Sequence, residues 1–95
     1  MALYLLTFND NLGSRDQITV HLNKNSHVIS DWYYCFLNAI FIASSLNAEQ
    51  LRDLVNSIRV SPDARFFISE VKGYPAYDGW LPKNAWDFIS KYAQR

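Results

Sequence analysis

Two short stretches of this chain are apolar on both of their alternating faces. They are LYLLTF, residues 3–8, and AIFIA, residues 39–43. Successive side chains of a strand point to opposite faces of a sheet, so a strand of this kind needs cover above and below. We therefore predict that both stretches are central strands of one sheet.

Two amphipathic helices are expected between the strands. Ser14 fits an N-cap with Gln17 as its capping-box partner, and the helix should run to about Asn23. Asn47 fits the N-cap of a second helix, which residues 61–63, SPD, should end. The apolar residues of this second helix follow the helical spacing i, i+3, i+4, i+7: Leu51, Leu54, Val55 and Ile58.

The middle of the chain predicts a turn followed by a hairpin. Residues 23–31, NKNSHVISD, are polar turn material, and residues 32–36 form the first arm of the hairpin. Leu37-Asn38 would make a tight hairpin connection or a bulge, since Asn tolerates left-handed backbone angles.

The C-terminal third predicts an edge strand, a loop and a helix. Residues 65–71, RFFISEV, read as a strand, and a turn-rich loop follows. Pro82 suits the first position of a helix. The buried stripe of that helix would be Trp86, Ile89, Tyr92 and Ala93.

The order strand, helix, strand, strand, helix, strand, helix indicates one α+β domain over residues 1–95. We predict a ferredoxin-like βαββαβ sandwich with an additional C-terminal helix. In that arrangement the first and third strands lie in the sheet centre, and these are the two stretches that are apolar on both faces.

In such a sandwich both helices cover one sheet face, and the other face would still carry apolar and aromatic side chains. Exposing that face is unfavourable, so either the C-terminal helix or a second copy should cover it. We predict a homodimer whose interface includes the C-terminal segment and the aromatic residues Tyr34, Phe36, Trp80 and Trp86.

Composition excludes several function classes. Nine basic and nine acidic residues give a net charge of zero, which disfavours strong nonspecific nucleic-acid binding. The single cysteine, Cys35, excludes an internal disulfide and a multi-cysteine zinc site. With no signal-peptide pattern and no apolar run of about 20 residues, we expect a cytoplasmic protein without a membrane partner.

The segment FNDNLGSRDQ, residues 8–17, has two interpretations. Asn9 and Asp10 could form a metal or catalytic site at the end of a central strand, with Ser14 and Arg15 contacting phosphate. Alternatively, the segment is an Asx-type turn that feeds a capped helix. The residue types at this spacing favour the turn.

A second group of candidates lies in the loop before the C-terminal helix. Lys72, Tyr74, Tyr77, Trp80 and Lys83 combine bases with aromatics, which would suit single-stranded nucleic acid. The alternative, which we favour, is that the aromatics pack under the helix or against a partner.

Three further residues are weak candidates for chemistry. His21, expected on the solvent side of the first helix, and His27 are not at a metal-ligand spacing and have no identifiable nucleophile. Cys35, expected in mid-strand, has nothing nearby to lower its thiol pKa.

The phrases TFNDNLGSR, LNAIFIAS, RFFISEV and GWLPKNAWDFI give the chain a resemblance to small SinR-like bacterial proteins. The pattern also resembles VapD toxins and the small CRISPR-associated adaptation nucleases. The resemblance implies a ferredoxin-like homodimer and, for the nucleases, one strand-end Asp per subunit near a magnesium ion. Aligning Phe8 places Asn9 at that position, where a neutral amide is a weak magnesium ligand, and Asp10 faces the other way.

Three functions follow as hypotheses. The first is a noncatalytic homodimeric interaction or regulatory module in a defence or toxin–antitoxin setting, without a cofactor. The second is a metal-dependent endonuclease that uses Asp10 and magnesium on RNA or DNA. The third is a single-stranded nucleic-acid binder that uses Lys72 and Lys83.

Overall fold

The computed structural model of the protein describes residues 1–72 and 78–93. It is an α+β fold with a four-stranded antiparallel sheet, compatible with a ferredoxin-like arrangement. The elements in chain order are β1 Ala2–Phe8, α1 Arg15–Lys24, β2 Ile29–Tyr33, β3 Ala39–Ser44, α2 Ala48–Asn56, β4 Phe66–Glu70 and α3 Lys83–Tyr92.

The sheet has the strand order β2-β3-β1-β4. β1 pairs antiparallel with β3 from Ala2–Ser44 to Thr7–Ala39, and with β4 on its other side. β1 and β3 are therefore the two central strands, as their two-sided apolar patterns predict. Every residue of β3 is buried, which shows that both sheet faces are covered at this strand.

The larger core lies between one sheet face and the helices α1 and α2. Both helices begin with a capping box, Ser14 with Gln17 in α1 and Asn47 with Gln50 in α2. The N-caps inferred from the sequence are confirmed. The buried residues of this core are Tyr4, Leu6, Phe8, Leu12, Ile18, Leu22, Ile29, Ile40, Ile42, Leu51, Val55 and Ala64.

The second sheet face is covered by α3 of the same chain. Ile89 of α3 is buried against Leu3, Phe41 and Val71. The hydroxyl of Tyr92 donates a hydrogen bond to the Asp31 carboxylate in β2 at 2.8 Å. The C-terminal helix therefore packs on the sheet of its own chain.

The middle of the chain departs from the sequence prediction. The segment 23–31 is not all turn, because β2 begins at Ile29. Ile29 pairs with Ser44 of β3, and the register of the pairing shifts between Ile29 and Asp31. β2 also ends at Tyr33 rather than residue 36. Residues 34–38 form a longer connection than a tight hairpin, and the Arg15 guanidinium holds this connection by donating to the Phe36 carbonyl at 2.9 Å.

Two helix ends also differ from expectation. α2 ends at Asn56, because the Ser57 hydroxyl and the backbone N–H groups beyond it bond the last carbonyls in tight turns, so Ile58 lies outside the helix. Pro82 is the N-cap of α3 rather than its first helical residue, since its ψ of 155° is extended. In the described part of the chain, no helix has the length and apolar character to cross a membrane.

Candidate functional site

The end of β1 is tied to the segment that leads into β4. The Asn9 amide group donates to the Asp63 carbonyl at 3.0 Å, and its oxygen accepts the Arg65 backbone N–H at 2.9 Å. The Asn9 backbone N–H donates to the Arg65 carbonyl at 3.0 Å. Asn9, the residue at the predicted metal position, thus bonds the end of β1 to the segment that precedes β4.

Asp10 is directed to a different neighbour. One of its carboxylate oxygens accepts a hydrogen bond from the Asn38 amide at 2.9 Å, in the connection before β3. Asn9 and Asp10 therefore bond segments on opposite sides of β1. Within residues 1–72 and 78–93, no group of three or more His, Cys, Asp or Glu side chains is arranged to hold a metal ion.

The predicted phosphate contacts at the start of α1 have structural partners. The Ser14 hydroxyl accepts the Gln17 backbone N–H at 3.2 Å, and the Gln17 side chain accepts the Ser14 N–H at 2.9 Å. The Arg15 guanidinium lies 4.0 Å from the centre of the Tyr34 ring. Tyr34 in turn stacks on Trp32 at a centroid distance of 5.7 Å.

The loop candidates are only partly described. Tyr74 and Tyr77 lie outside the described residues. Lys72 lies 3.9 Å from the Glu70 carboxylate, and Lys83 lies 2.9 Å from Asp87. The hydrogen bond and the negative charge of Asp87 raise the pKa of Lys83 above its usual value.

The histidines and the cysteine do not form a catalytic pair. His21 is half-buried rather than on the solvent side of α1, and its Nε2 lies 3.2 Å from the Ser57 hydroxyl. That hydroxyl donates to the Leu54 carbonyl at 2.6 Å, so Ser57 serves as a helix cap. Cys35 lies beyond β2 and not in mid-strand, and burial raises the pKa of its thiol.

An apolar cavity opens where the cover by α3 ends. It has a volume of about 400 Å³. Its walls come from β1, β3 and α3, and residues 78–81 form its rim. The apolar residues that line it are Leu5, Phe36, Phe41, Val71, Trp80, Leu81, Trp86 and Ile89.

The rim of this cavity carries exposed aromatic rings. Trp80 is 100% exposed and Phe36 is 45% exposed, and both line the cavity. Phe67 of β4, 67% exposed, lies on the same sheet face as Leu5 and Thr7, because it pairs directly with Thr7. We call Leu5, Phe36, Phe67 and Trp80 the apolar patch.

The predicted interface residues divide into two groups. Phe36, Trp80 and Trp86 line one cavity, whereas Tyr34 packs against the other core. Trp86 is half-buried in its own chain and Phe36 and Trp80 are exposed. Phe67 was missing from the prediction; the alternation in RFFISEV places it on a strand face with Arg65 and Ser69, and its pairing with Thr7 follows only from the structure.

Comparison with known proteins adds no relative. No family model matches the chain, and no curated protein and no solved structure matches it either. The assignment to SinR-like proteins therefore stays a prediction, and the function must be argued from the molecule.

Proposed function

We propose that this protein is a noncatalytic interaction module that self-associates as a homodimer. We further propose that its fold is the ferredoxin-like βαββαβ sandwich, extended by α3. The strand order β2-β3-β1-β4 supports this, as does the position of α1 and α2 against the same core. In this arrangement each helix connects strands that are separated by one antiparallel neighbour.

The apolar patch is the observation that carries the proposal. Exposed apolar side chains on a small domain favour a binding surface, since their burial stabilises a complex by roughly 25 cal/mol per Å². Trp and Phe are among the residues that contribute most at interfaces. Among the described residues, α3 packs over Leu3, Phe41 and Val71, whereas Phe36, Phe67 and Trp80 stay exposed, which supports the patch as the partner's surface.

The hydrogen bonding at the end of β1 supports a noncatalytic role. Asn9 uses both its amide hydrogen and its oxygen within the protein, and Asp10 bonds Asn38. A metal-dependent nuclease would need these groups to face a shared ion. A regulatory role in a defence or toxin–antitoxin system is the setting that the family resemblance implies.

Light scattering and a cleavage assay on one preparation test the two halves of the proposal. We expect the mass of a dimer, twice 11.0 kDa, at micromolar concentration. A monomer mass there would contradict self-association.

With labelled RNA or DNA and magnesium or manganese, we expect no cleavage. Asp10→Ala is the diagnostic variant, and Asp63→Ala, an exposed carboxylate in the loop beside Asn9, is its control. Cleavage that disappears in Asp10→Ala and persists in Asp63→Ala would overturn the noncatalytic role in favour of the nuclease.

A further inference from the structure

The edge of the sheet at β2 is protected against pairing with another strand. The register of β2 shifts between Ile29 and Asp31, which indicates a bulge. Asp31 places a charge within this edge strand, and Tyr92 of α3 bonds its carboxylate at 2.8 Å. Bulges, charges and covering elements are the devices that block edge-to-edge pairing.

The edge at β4 has no bulge in its described strand, Phe66–Glu70, and carries a charge only at its last residue. Its register with β1 runs without a shift from Tyr4–Glu70 to Phe8–Phe66. The sequence FFISE contains neither Pro nor Lys, and its one charge is at the last residue. An unshifted apolar edge strand is a template for pairing with another strand.

The hydrogen bonds between β1 and β4 show which backbone groups of β4 face outward. The Val71 N–H donates to the Leu3 carbonyl at 2.8 Å, and the Arg65 carbonyl accepts the Asn9 N–H at 3.0 Å. Hydrogen-bonded and non-bonded positions alternate in an antiparallel pair, so the odd-numbered residues of β4 bond to β1. The N–H and carbonyl groups of the even-numbered residues, 66, 68 and 70, therefore point away from the sheet.

We propose that β4 pairs antiparallel with β4 of a second copy about a twofold axis at Ile68, which joins two four-stranded sheets into one. This inference rests on the self-association proposed above and names its surface. The outward groups fix the register: Ile68 faces the partner's Ile68, and Phe66 faces the partner's Glu70. These pairs exchange about six backbone hydrogen bonds.

The same register joins the two apolar patches. Phe67 and the partner's Phe67 lie diagonally across the new pair, at a distance of about 7–8 Å that aromatic side chains span. Both rings lie on the sheet face on which α3 packs, at an edge strand where Phe67 stays 67% exposed. The exposure of Phe67 in one chain is thus explained by burial against its symmetry mate.

The outward groups favour a second copy as the occupant, because antiparallel pairing about the axis sets the same residues of both chains against each other. Arg52 of α2, which lines a surface cavity with Phe66 and Ile68, is already paired within its own chain, with Asp53 at 3.0 Å and Glu49 at 3.9 Å. Glu70 lies 3.9 Å from Lys72 of the same chain. The charges on this face therefore do not select the partner.

Disulfide trapping tests the register. In a Cys35→Ala background, Ile68→Cys places two thiols across the axis, where opposed Cα atoms lie about 5.5 Å apart, within disulfide range. Val60→Cys, at a residue 94% exposed and away from β4, is the matched control. We expect Ile68→Cys to form the crosslinked dimer at least about tenfold faster than Val60→Cys. Equal rates would contradict the register.

Ile68→Pro tests the edge by sedimentation velocity. Proline at 68 removes an outward N–H and none of the bonds to β1, a position that edge strands tolerate. Two lost hydrogen bonds per dimer should raise the dissociation constant about ten- to a hundredfold. Circular dichroism checks that the variant folds, and if it does not, the crosslinking result decides.

The outcomes separate this inference from the proposed function. A wild-type dimer that neither crosslinks through Ile68→Cys nor weakens in Ile68→Pro overturns the β4 pairing and leaves self-association standing. A wild-type monomer overturns both. A dimer that crosslinks at residue 68 and weakens in Ile68→Pro supports both.

Discussion

Gly13 is the residue on which the turn after β1 depends. Its φ is +141°, a conformation that other residues rarely adopt, and an added Cβ would lie 3.1 Å from Oε1 of Gln17. That oxygen accepts the Ser14 N–H in the capping box. A side chain at residue 13 therefore strains the backbone and disturbs the cap of α1 at the same time.

We predict that Gly13→Ala lowers the free energy of unfolding by about 1–2 kcal/mol, measured by urea denaturation. Gly79→Ala is the matched control, since an added Cβ there meets nothing within 4 Å. Gly79→Ala should change the free energy of unfolding by no more than about 0.5 kcal/mol. Equal effects of the two substitutions would show that the turn is not strained.

Residues whose partners are local in sequence were predictable, and residues with distant partners were not. The Ser14–Gln17 cap spans three positions and follows from the residue types alone. Asn9 bonds Asp63 and Arg65, 54 and 56 positions away, so its clamping role depends on the tertiary structure. The capped helix predicted from FNDNLGSRDQ is confirmed, whereas backbone bonds from Leu12 to Asn9 and from Gly13 to Asp10 close the turn, not Asx side chains.

At the scale of elements, strands buried on both faces were the most predictable. β1 and β3 need cover on two sides, and that need is visible in their alternation. The start of β2 was missed because NKNSHVISD is polar on average, whereas Ile29 pairs with Ser44 across a register shift. Pairing of this kind depends on the neighbouring strand and leaves no local pattern.

The half-buried C-terminal end of α3 is bonded to the edge strand β2. The Tyr92 hydroxyl donates to Asp31 at 2.8 Å, and its ring contacts Phe88 at a centroid distance of 4.9 Å. We predict that Tyr92→Phe lowers the free energy of unfolding by about 1–2 kcal/mol, since the ring stays and a bond to a charged group is lost. Urea denaturation measures the change.

Tyr34→Phe is the control for this prediction. The Tyr34 hydroxyl lies 3.5 Å from Asp16, which is too long for a strong bond between oxygens. Tyr34→Phe should therefore lower the free energy of unfolding by less than about half as much as Tyr92→Phe does. A Tyr92→Phe protein as stable as wild type would mean that apolar packing alone holds α3.

At the scale of the molecule, the sequence does not determine which sheet the C-terminal helix covers, and the packing does. An amphipathic C-terminal helix can cover its own sheet or a neighbour's, because the apolar stripe needed is the same in both cases. In this chain α3 covers its own sheet and leaves Phe36, Phe67 and Trp80 of the apolar patch exposed. Net charge of zero places no electrostatic barrier against two copies meeting.

Amide hydrogen exchange by NMR, recorded over a range of protein concentrations, tests the proposed pairing of β4 with a second copy. The inward amides of Phe67 and Ser69 bond β1 and should be protected at every concentration. If β4 pairs with a second copy, the outward amides of Phe66, Ile68 and Glu70 should gain protection as the concentration rises. Outward amides that exchange rapidly even in samples shown by light scattering to be dimeric would contradict the pairing of β4 with a second copy.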